Sequence, residues 1–301
     1  MKLNVFFIKG KTLIFAFFSS IILILSLFCI IIKNLNTYNE SIPTMTKPQL
    51  EEYLKYDLNG DGKDDLMYIT CNNDKYYIEA HIDNKTYFFN TKNTLGCYNS
   101  SWPLSIKVLD INNDSVPEII TQGSFEKKPI LHIFMWDNNE FKDVLYSNEN
   151  FITILNFSKI KSPVLSLLSI PDSNTFVSYT LENNSLKEIS LENQLTPNTK
   201  IINEFVKFIE SDEVDLPLIF SKSITDNELS LLYDLKNDNY KYNFQDCLLQ
   251  NLVSDNNNSN KYSLNLNFEK YDEYSSYQIK FDIGIDNVED NFLISSIKIT
   301  H

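Results

Sequence analysis

Two short acidic segments are the part of this sequence whose residue types and spacing could do chemistry. They read DLNGDGKDD at residues 57–65 and DINNDSVPE at residues 110–118. Counted from the first Asp, each places an oxygen-bearing side chain at positions 1, 3, 5 and 9 and then runs into an apolar stretch. Because calcium takes roughly 6–8 oxygen ligands, three carboxylates and an amide carbonyl in one tight turn predict a calcium loop.

Two other interpretations of these segments have to be weighed. Asp and Asn favour turns through local hydrogen bonds alone, so a solvated turn is the alternative for both segments. Gly60 and Gly62 favour the metal site in the first, because they are two of only six glycines and lie where the backbone must bend. An EF-hand would require a carboxylate at position 12, where this chain has Tyr68 and Thr121.

Other chemistry has little support in the sequence. Two of the three histidines, His81 and His132, lie within strand patterns, and His301 is the last residue. There is no GxSxG elbow, no HExxH motif and no Gly-rich phosphate loop, so we predict no catalytic residues. The net charge of −14 argues against nucleic acid as a partner and favours cations.

The N-terminal segment predicts a membrane anchor. Residues 12–32 are uncharged and mostly apolar, which is long enough for a helix to cross a hydrocarbon core of about 30 Å. Lysines precede it without any acid, so residues 1–11 are predicted to be cytoplasmic, and the chain from the linker at residues 33–49 onward to be extracellular. A cleaved signal peptide is the alternative, although no small-residue cleavage site is evident. In the extracellular part, a disulfide between Cys71 and Cys97 is permitted by compartment but unsupported by spacing.

Residues 50–195 predict short strands separated by Asn and Asp turns. Hairpin-like turns recur at residues 82–85, 136–139 and 181–184, each flanked by aromatic or β-branched residues. The spacing indicates a repeat of one small antiparallel sheet per unit, with three units in all. The third unit, aligned through Pro163, lacks the acidic ligands, and no metal is predicted there.

These repeats resemble FG-GAP or VCBS-type repeats, found in integrin-like propellers and in bacterial surface proteins. The first segment matches the DxNxDGxxD pattern as it stands, whereas the second has Ser115 in place of the glycine and Glu118 in place of the last Asp. The resemblance implies that Ca²⁺ is held by side chains of both loops and by the main-chain carbonyl at position 7. The implied ligands are Asp57, Asn59, Asp61, Lys63 and Asp65, and then Asp110, Asn112, Asp114, Val116 and Glu118.

The implied architecture is mainly β, but the number of units leaves its closure open. A closed propeller usually needs at least four blades, and the sequence shows three. An incomplete propeller, a compact β-sandwich and a ring completed by other segments or chains are the alternatives.

Residues 196–301 predict a smaller α+β domain. Pro197 opens a helix, Thr225 and Glu228 form a capping box for a second, and residues 244–253 are compatible with a third. Alternating strands follow at residues 262–268 and 277–283, with a final strand at 292–300. The order of helices before an antiparallel sheet loosely resembles NTF2-like domains.

Two functional hypotheses follow. The first is a single-pass membrane protein whose extracellular calcium-binding repeats bind a cell-surface protein or glycan. The second is an exported enzyme or small-ligand carrier with its site in the NTF2-like domain. A filled interior in that domain would favour the first hypothesis, and a deep polar pocket the second.

Overall fold

The computed structural model describes residues 53–156, 163–170, 176–182, 185–190, 199–213, 215–251, 261–288 and 291–300. The predicted tail, membrane span and linker, residues 1–49, lie outside these ranges. Within them, no helix is both long enough and apolar enough to cross a bilayer. The described residues belong to one compact unit, Leu50–His301.

The described residues form sixteen strands and two helices, so the prediction of a mainly β fold is confirmed. The first eight strands are β1 (Tyr53–Tyr56), β2 (Asp65–Asn72), β3 (Lys75–Ile82), β4 (Lys85–Asn90), β5 (Ser105–Leu109), β6 (Glu118–Phe125), β7 (Lys128–Asp137) and β8 (Glu140–Ser147). The next four are β9 (Phe151–Leu155), β10 (Val164–Leu168), β11 (Val177–Glu182) and β12 (Ser185–Ile189). Helices α1 (Lys200–Glu210) and α2 (Asp226–Lys236) precede β13 (Lys241–Asn251), β14 (Lys261–Tyr271), β15 (Ser276–Val288) and β16 (Asn291–Thr300).

The strands form four propeller-like units of four antiparallel strands, joined in pairs into two eight-stranded sheets. The first sheet has the order β1-β2-β3-β4-β8-β7-β6-β5, with β4 and β8 parallel. The second has the order β12-β11-β10-β9-β13-β14-β15-β16, with β9 and β13 parallel. The sequence shows three such units, and the fourth consists of the strands at residues 241–300.

Two-residue hairpins connect many neighbouring strands, as the Asn and Asp turns predict. Asp83 and Asn84, and likewise Asn138 and Asn139, adopt positive φ angles between 47° and 63°. Such angles match the right-handed twist of a hairpin, and Asn and Asp tolerate them better than most residues do. The predicted turn at residues 181–184 lies between β11 and β12, although residues 183 and 184 are outside the described ranges.

The first sheet curls so that its two halves share one apolar core. This cluster contains Met67 of β2 and Ile78 of β3 together with Ile119 of β6 and Phe134 of β7. These strands lie in opposite halves of the sheet order. Burying them in one cluster therefore makes the sheet barrel-like, with β1 and β5 as its two edge strands.

Helices α1 and α2 cover one face of the second sheet. Phe205 of α1 and Leu232 of α2 are fully buried with Phe268 and Phe281 of the strands beneath them. The predicted capping box is confirmed, because Thr225 and Glu228 exchange side-chain and backbone hydrogen bonds at the start of α2. Helix α1 begins at Lys200, and the predicted start at Pro197 lies outside the described ranges.

The helix predicted at residues 244–253 is wrong, because residues 244–251 belong to the central strand β13, and residues 252 and 253 lie outside the described ranges. It pairs with β14 on one side and with β9 on the other. Cys247 and Leu249 enter the core beneath the helices, whereas Leu248 enters a second core shared with Ile120 and Ile133 of the first sheet. A strand that is buried on both faces has a continuous apolar run, and such a run does not distinguish strand from helix in the sequence.

The second sheet also continues across the domain boundary predicted between residues 195 and 196. Strand β9, from the predicted repeat domain, pairs in parallel with β13, from the predicted α+β domain. The strand order of the second sheet therefore does not follow that division of the chain. The NTF2-like resemblance of residues 196–301 stays a prediction. Among the described cysteines, Cys71, Cys97 and Cys247 are free thiols.

Candidate metal centre

The two acidic segments occupy equivalent places in the fold. Residues 57–65 (loop 1) connect β1 to β2, and residues 110–118 (loop 2) connect β5 to β6, so each joins the first two strands of a four-stranded unit. Asp65 and Glu118, at position 9, are the first residues of β2 and β6. The apolar residues at position 2, Leu58 and Ile111, are buried and fix each loop to the sheet.

Loop 1 folds its backbone around its own side-chain oxygens. Asp57 accepts hydrogen bonds from the N–H groups of Asp61 (3.0 Å) and Gly62 (2.8 Å), and Asp61 accepts one from Lys63 (2.9 Å). The Asn59 side-chain oxygen accepts from the Asp61 N–H at 3.1 Å. Asp65 closes the loop by accepting from the Leu58 N–H at 3.0 Å.

Loop 2 repeats this scheme position by position. Asp110 accepts from the N–H groups of Asp114 (3.1 Å) and Ser115 (2.9 Å), and Asp114 accepts from Val116 (2.8 Å). Asn112 accepts from the Asp114 N–H at 2.9 Å, and Glu118 from the Ile111 N–H at 2.7 Å. Five hydrogen bonds therefore join the same positions in both loops, which makes the loops structural duplicates.

Both loops also place positions 4 and 6 in the left-handed region of backbone space. Gly60 and Gly62 have φ angles of 76° and 82°, and Asn113 and Ser115 have 62° and 71°. The absence of a glycine at position 6 thus leaves the shape of loop 2 unchanged. A serine in this region carries a strain of about 1–2 kcal/mol that glycine would not.

The buried carboxylates at position 9 lie in a field of negative charge. Burial raises the pKa of Asp65, and the nearby Asp61 and Asp57 raise it further. Burial also raises the pKa of Glu118 to about 7, with added repulsion from Asp114 and Asp110. A carboxylate that is both desolvated and close to other carboxylates is stabilised when a cation arrives.

The loops supply oxygen donors suited to a hard cation, but their carboxylates bond to the loop backbone. Among the described residues, no three His, Cys, Asp or Glu side chains form a group that could hold a metal ion. The Lys63 ammonium lies 3.5 Å from a carboxylate oxygen of Asp61 and 3.5 Å from one of Asp83. The hydrogen bond from the Lys63 N–H is the main cause of the lowered pKa of Asp61. Asp, Asn and main-chain oxygens nevertheless fit calcium better than a transition metal.

The two loops contact each other, which the sequence did not predict. A Cβ atom added to Gly60 would lie 2.7 Å from the Cγ2 atom of Val116 and 3.4 Å from the carbonyl oxygen of Ser115. The loops follow the two edge strands of the first sheet, so curling of that sheet brings them together. An apolar side chain at the exposed end of loop 2 was the only signal of this contact in the sequence.

Gly60→Ala is expected to destabilise the protein by about 2 kcal/mol, and Gly62→Ala by about 1 kcal/mol. Both positions have positive φ, but a Cβ atom at Gly62 would meet no heavy atom within 4 Å. The difference between the two variants therefore measures the packing of Gly60 against Val116. Urea unfolding checks it, and adding Val116→Ala should remove the excess cost at Gly60. Equal costs for the two glycine variants would contradict the loop contact.

The described histidines have structural surroundings. His132 is fully buried, with Nδ1 at 3.0 Å from Asp143 Oδ2 and Nε2 at 3.0 Å from the Thr94 carbonyl. His81 lies on a sheet surface with Nε2 at 3.0 Å from Glu79. Trp102 is buried and donates from Nε1 to Asp246 at 2.6 Å.

Comparison with known proteins places these loops in a family. The family model described as an FG-GAP-like repeat matches residues 57–121, which begins at the first residue of loop 1 and extends past the end of loop 2. No curated protein matches the sequence. The matched segment covers both duplicated loops, strands β2 to β5 and the first residues of β6. The resemblance seen in the sequence is confirmed for this segment. Residues 57–121 of this chain are an FG-GAP-like repeat segment.

Proposed function

We propose that this protein is a membrane-anchored extracellular binding module whose two acidic loops bind calcium. FG-GAP repeats suggest a β-repeat module of the extracellular binding or adhesion type. The calcium sites, the membrane anchor and the extracellular location go beyond that family assignment. They rest on the loop chemistry and on the N-terminal sequence.

The duplicated loop is the observation that carries the calcium proposal. Two segments with different residues at positions 2, 4, 6, 7, 8 and 9 fold with the same hydrogen bonds and the same left-handed positions. At positions 1 and 5 each holds a partly or fully exposed carboxylate, near the buried carboxylate at position 9. When calcium binds, it would supply positive charge to that cluster, and the loop oxygens would turn from the backbone N–H groups towards the ion.

Calcium is expected to raise the free energy of unfolding by about 1.4–2.7 kcal/mol per site. This range corresponds to 10 mM ion at roughly 10–100 times a dissociation constant of about 10⁻⁴–10⁻³ M, typical of extracellular modules. Thermal melts of the full chain with calcium and with chelator measure it. Identical melting temperatures under the two conditions would refute the calcium proposal.

Asp61→Ala should remove the part of the calcium shift that comes from loop 1. The matched control is Asn156→Ala in the third unit, which is exposed and whose side chain makes no hydrogen bond in the described residues. The control should keep the full shift. Asp114→Ala should remove the remainder, so the double variant Asp61→Ala/Asp114→Ala should be insensitive to calcium.

The membrane anchor rests on residues 12–32 and has its own test. We expect the mature protein to keep residues 1–33 and to remain in the membrane fraction, because the apolar run is long and has no cleavage site. Intact-mass measurement of the native protein decides this. A mature N-terminus between residues 29 and 40 would instead show a signal peptide or a lipoprotein.

The packing of the second sheet supports the binding module over an enzyme or carrier with its site under the helices. The sheet face beneath α1 and α2 is filled by side chains such as Leu264, Leu266 and Ile283, all at most 1% exposed. The space that an NTF2-like domain would use for a ligand is thus occupied by core residues. A ligand of this protein is better sought on the opposite face of that sheet.

A further inference from the structure

A small cleft opens where the two eight-stranded sheets meet. Its floor is the face of β13, β14 and β15 that points away from the helices, and its wall is the edge strand β5 with the adjoining β6. The cavity measures about 50 Å³, which is room for roughly three or four water molecules. It therefore accepts one end of a ligand.

The floor of the cleft is lined by polar residues, whereas a packed contact between two sheets would be apolar. Cross-strand pairing places Leu248, Asn265 and Asp282 in one row and Asp246, Asn267 and Lys280 in the next. On β9 and β10 the same face carries the apolar core shared with the first sheet. The change from apolar to polar residues along one sheet face coincides with the opening of the cleft.

Two lysines bring positive charge to this cleft in a chain whose net charge is −14. Lys107 of β5 lines the wall and Lys280 of β15 lines the floor. Neither ammonium lies within 4.0 Å of a carboxylate oxygen among the described residues. Among the residues that line the cleft, these two lysines outnumber the one carboxylate, Asp282, whereas Asp246 is buried behind Asn267 and does not line the cleft.

The side-chain amides of the cleft are arranged to accept hydrogen bonds. Asn267 donates from Nδ2 to Asp246 at 2.7 Å, and Asn265 donates from Nδ2 to Asp282. Gln122 donates from Nε2 to the Cys247 carbonyl at 3.4 Å. Each amide therefore still has a carbonyl oxygen for a ligand hydroxyl, and Asp282 has a second carboxylate oxygen.

We propose that this cleft binds a sugar acid, with its carboxylate between Lys107 and Lys280 and its hydroxyl groups on the amide oxygens and Asp282. A ligand with one carboxylate and several hydroxyl groups matches two ammonium donors beside a row of acceptors. A neutral sugar would add no negative charge beside the two lysines, and a simple carboxylate would leave the acceptors unused. The inference rests on the proposed function as a binding module, and it names the ligand class.

Strand β5 connects this cleft to loop 2. Lys107 lies on β5 three residues before Asp110, the first residue of the loop. An ion in loop 2 would hold the end of the strand that carries Lys107. The sugar acid should therefore bind more tightly in calcium than in chelator, although the cleft itself contains no loop residue.

Titration of the full chain with glucuronate, followed by ligand-observed NMR at low salt, tests the proposal. Glucose serves as the neutral analogue and acetate as the carboxylate without hydroxyls. Glucuronate should bind, and both analogues should bind at least about tenfold more weakly, the loss expected for one charge-assisted hydrogen bond. Equal binding of glucuronate and glucose, or no binding of glucuronate, would overturn the proposal.

Variants locate the binding in the cleft. Lys280→Gln and Lys107→Gln should each weaken glucuronate binding by about tenfold or more, whereas Lys85→Gln, an exposed lysine on β4, should not. Unchanged binding in both cleft variants would also overturn the proposal. Thermal melts with calcium are a separate measurement. Binding of glucuronate without a calcium-dependent shift of the melting temperature would therefore contradict only the calcium proposal. A calcium shift without glucuronate binding would fail only this one.

Discussion

A chain truncated to residues 196–301 is expected to remain unfolded. In the intact protein its strand β13 pairs with β9, and its core contains Phe151, Leu155, Leu168 and Ile170, which are at most 4% exposed. Burying each of these four side chains is worth about 1.5–3 kcal/mol, so their loss removes about 6–12 kcal/mol. A domain has a total stability of only about 5–15 kcal/mol.

Circular dichroism and urea unfolding of the fragment measure this outcome. The matched control is the chain of residues 50–301, which retains both sheets and should unfold cooperatively. A cooperative transition in the 196–301 fragment would contradict the expectation. It would show that the α+β domain predicted from the sequence folds alone, despite sharing a sheet with the repeats.

The free energy of unfolding is expected to fall as the pH rises from about 4 to about 6, because of Asp246. This carboxylate is 2% exposed and accepts hydrogen bonds from Trp102 Nε1 at 2.6 Å and Asn267 Nδ2 at 2.7 Å. Burial raises its pKa to about 6 from an ordinary value of 3.8, against the opposing effect of these hydrogen bonds and of the nearby Lys280.

The direction of the effect follows from proton binding. Between pH 4 and pH 6 the folded state holds a proton that the unfolded chain has lost, so raising the pH favours unfolding. The contribution of Asp246 is fully present below about pH 4 and is lost as the pH rises through about 6. A shift of this size corresponds to roughly 3 kcal/mol, taken without a discount for solvent because the group is buried.

Asp246→Asn should remove this part of the pH dependence. The variant keeps one acceptor oxygen and loses the other, so one of the two donors, Trp102 or Asn267, is left without a partner. This lowers the free energy of unfolding by about 1–3 kcal/mol at every pH. Relative to the wild type, its stability should then improve by roughly 3 kcal/mol from pH 4 to pH 7 in urea unfolding. Asp282→Asn makes the same substitution at a carboxylate that is exposed on β15, so it controls for the effect of replacing Asp by Asn. A wild-type to Asp246→Asn difference that is constant with pH would contradict the assignment.

Local features of the fold could be predicted from the sequence because their causes are local. Asp83 and Asn84 form the predicted hairpin turn since short polar side chains tolerate positive φ. Thr225 and Glu228 form the predicted capping box within four residues of chain. The strands at residues 262–268 and 277–283 were predicted from two-residue alternation, which reports that one face is buried and the other is not.

The sequence also located the two acidic loops, each running directly into a strand. Asp57, Asn59, Asp61 and Asp65 all accept hydrogen bonds inside loop 1, and the same positions do so in loop 2. A nine-residue turn is specified by its own side chains, so the spacing of oxygen donors was enough. The ligand roles of these residues stay a prediction, because a metal site depends on how far the oxygens converge.

The long-range pairings were decided only by the tertiary structure. Residues 244–251 form a strand and not a helix because β9 and β14 supply hydrogen-bond partners on both sides, almost one hundred residues away for β9. The contact of Gly60 with Val116 arises where the first sheet curls onto itself. The hydrogen bond of Trp102 to Asp246 and the cleft between Lys107 and Lys280 arise where the two sheets meet. The sequence by itself determined the turns, caps, alternating strands and acidic loops, since each depends on neighbours along the chain. The tertiary structure decided which strands share a sheet and which surfaces face each other, because those choices depend on burial summed over the whole chain.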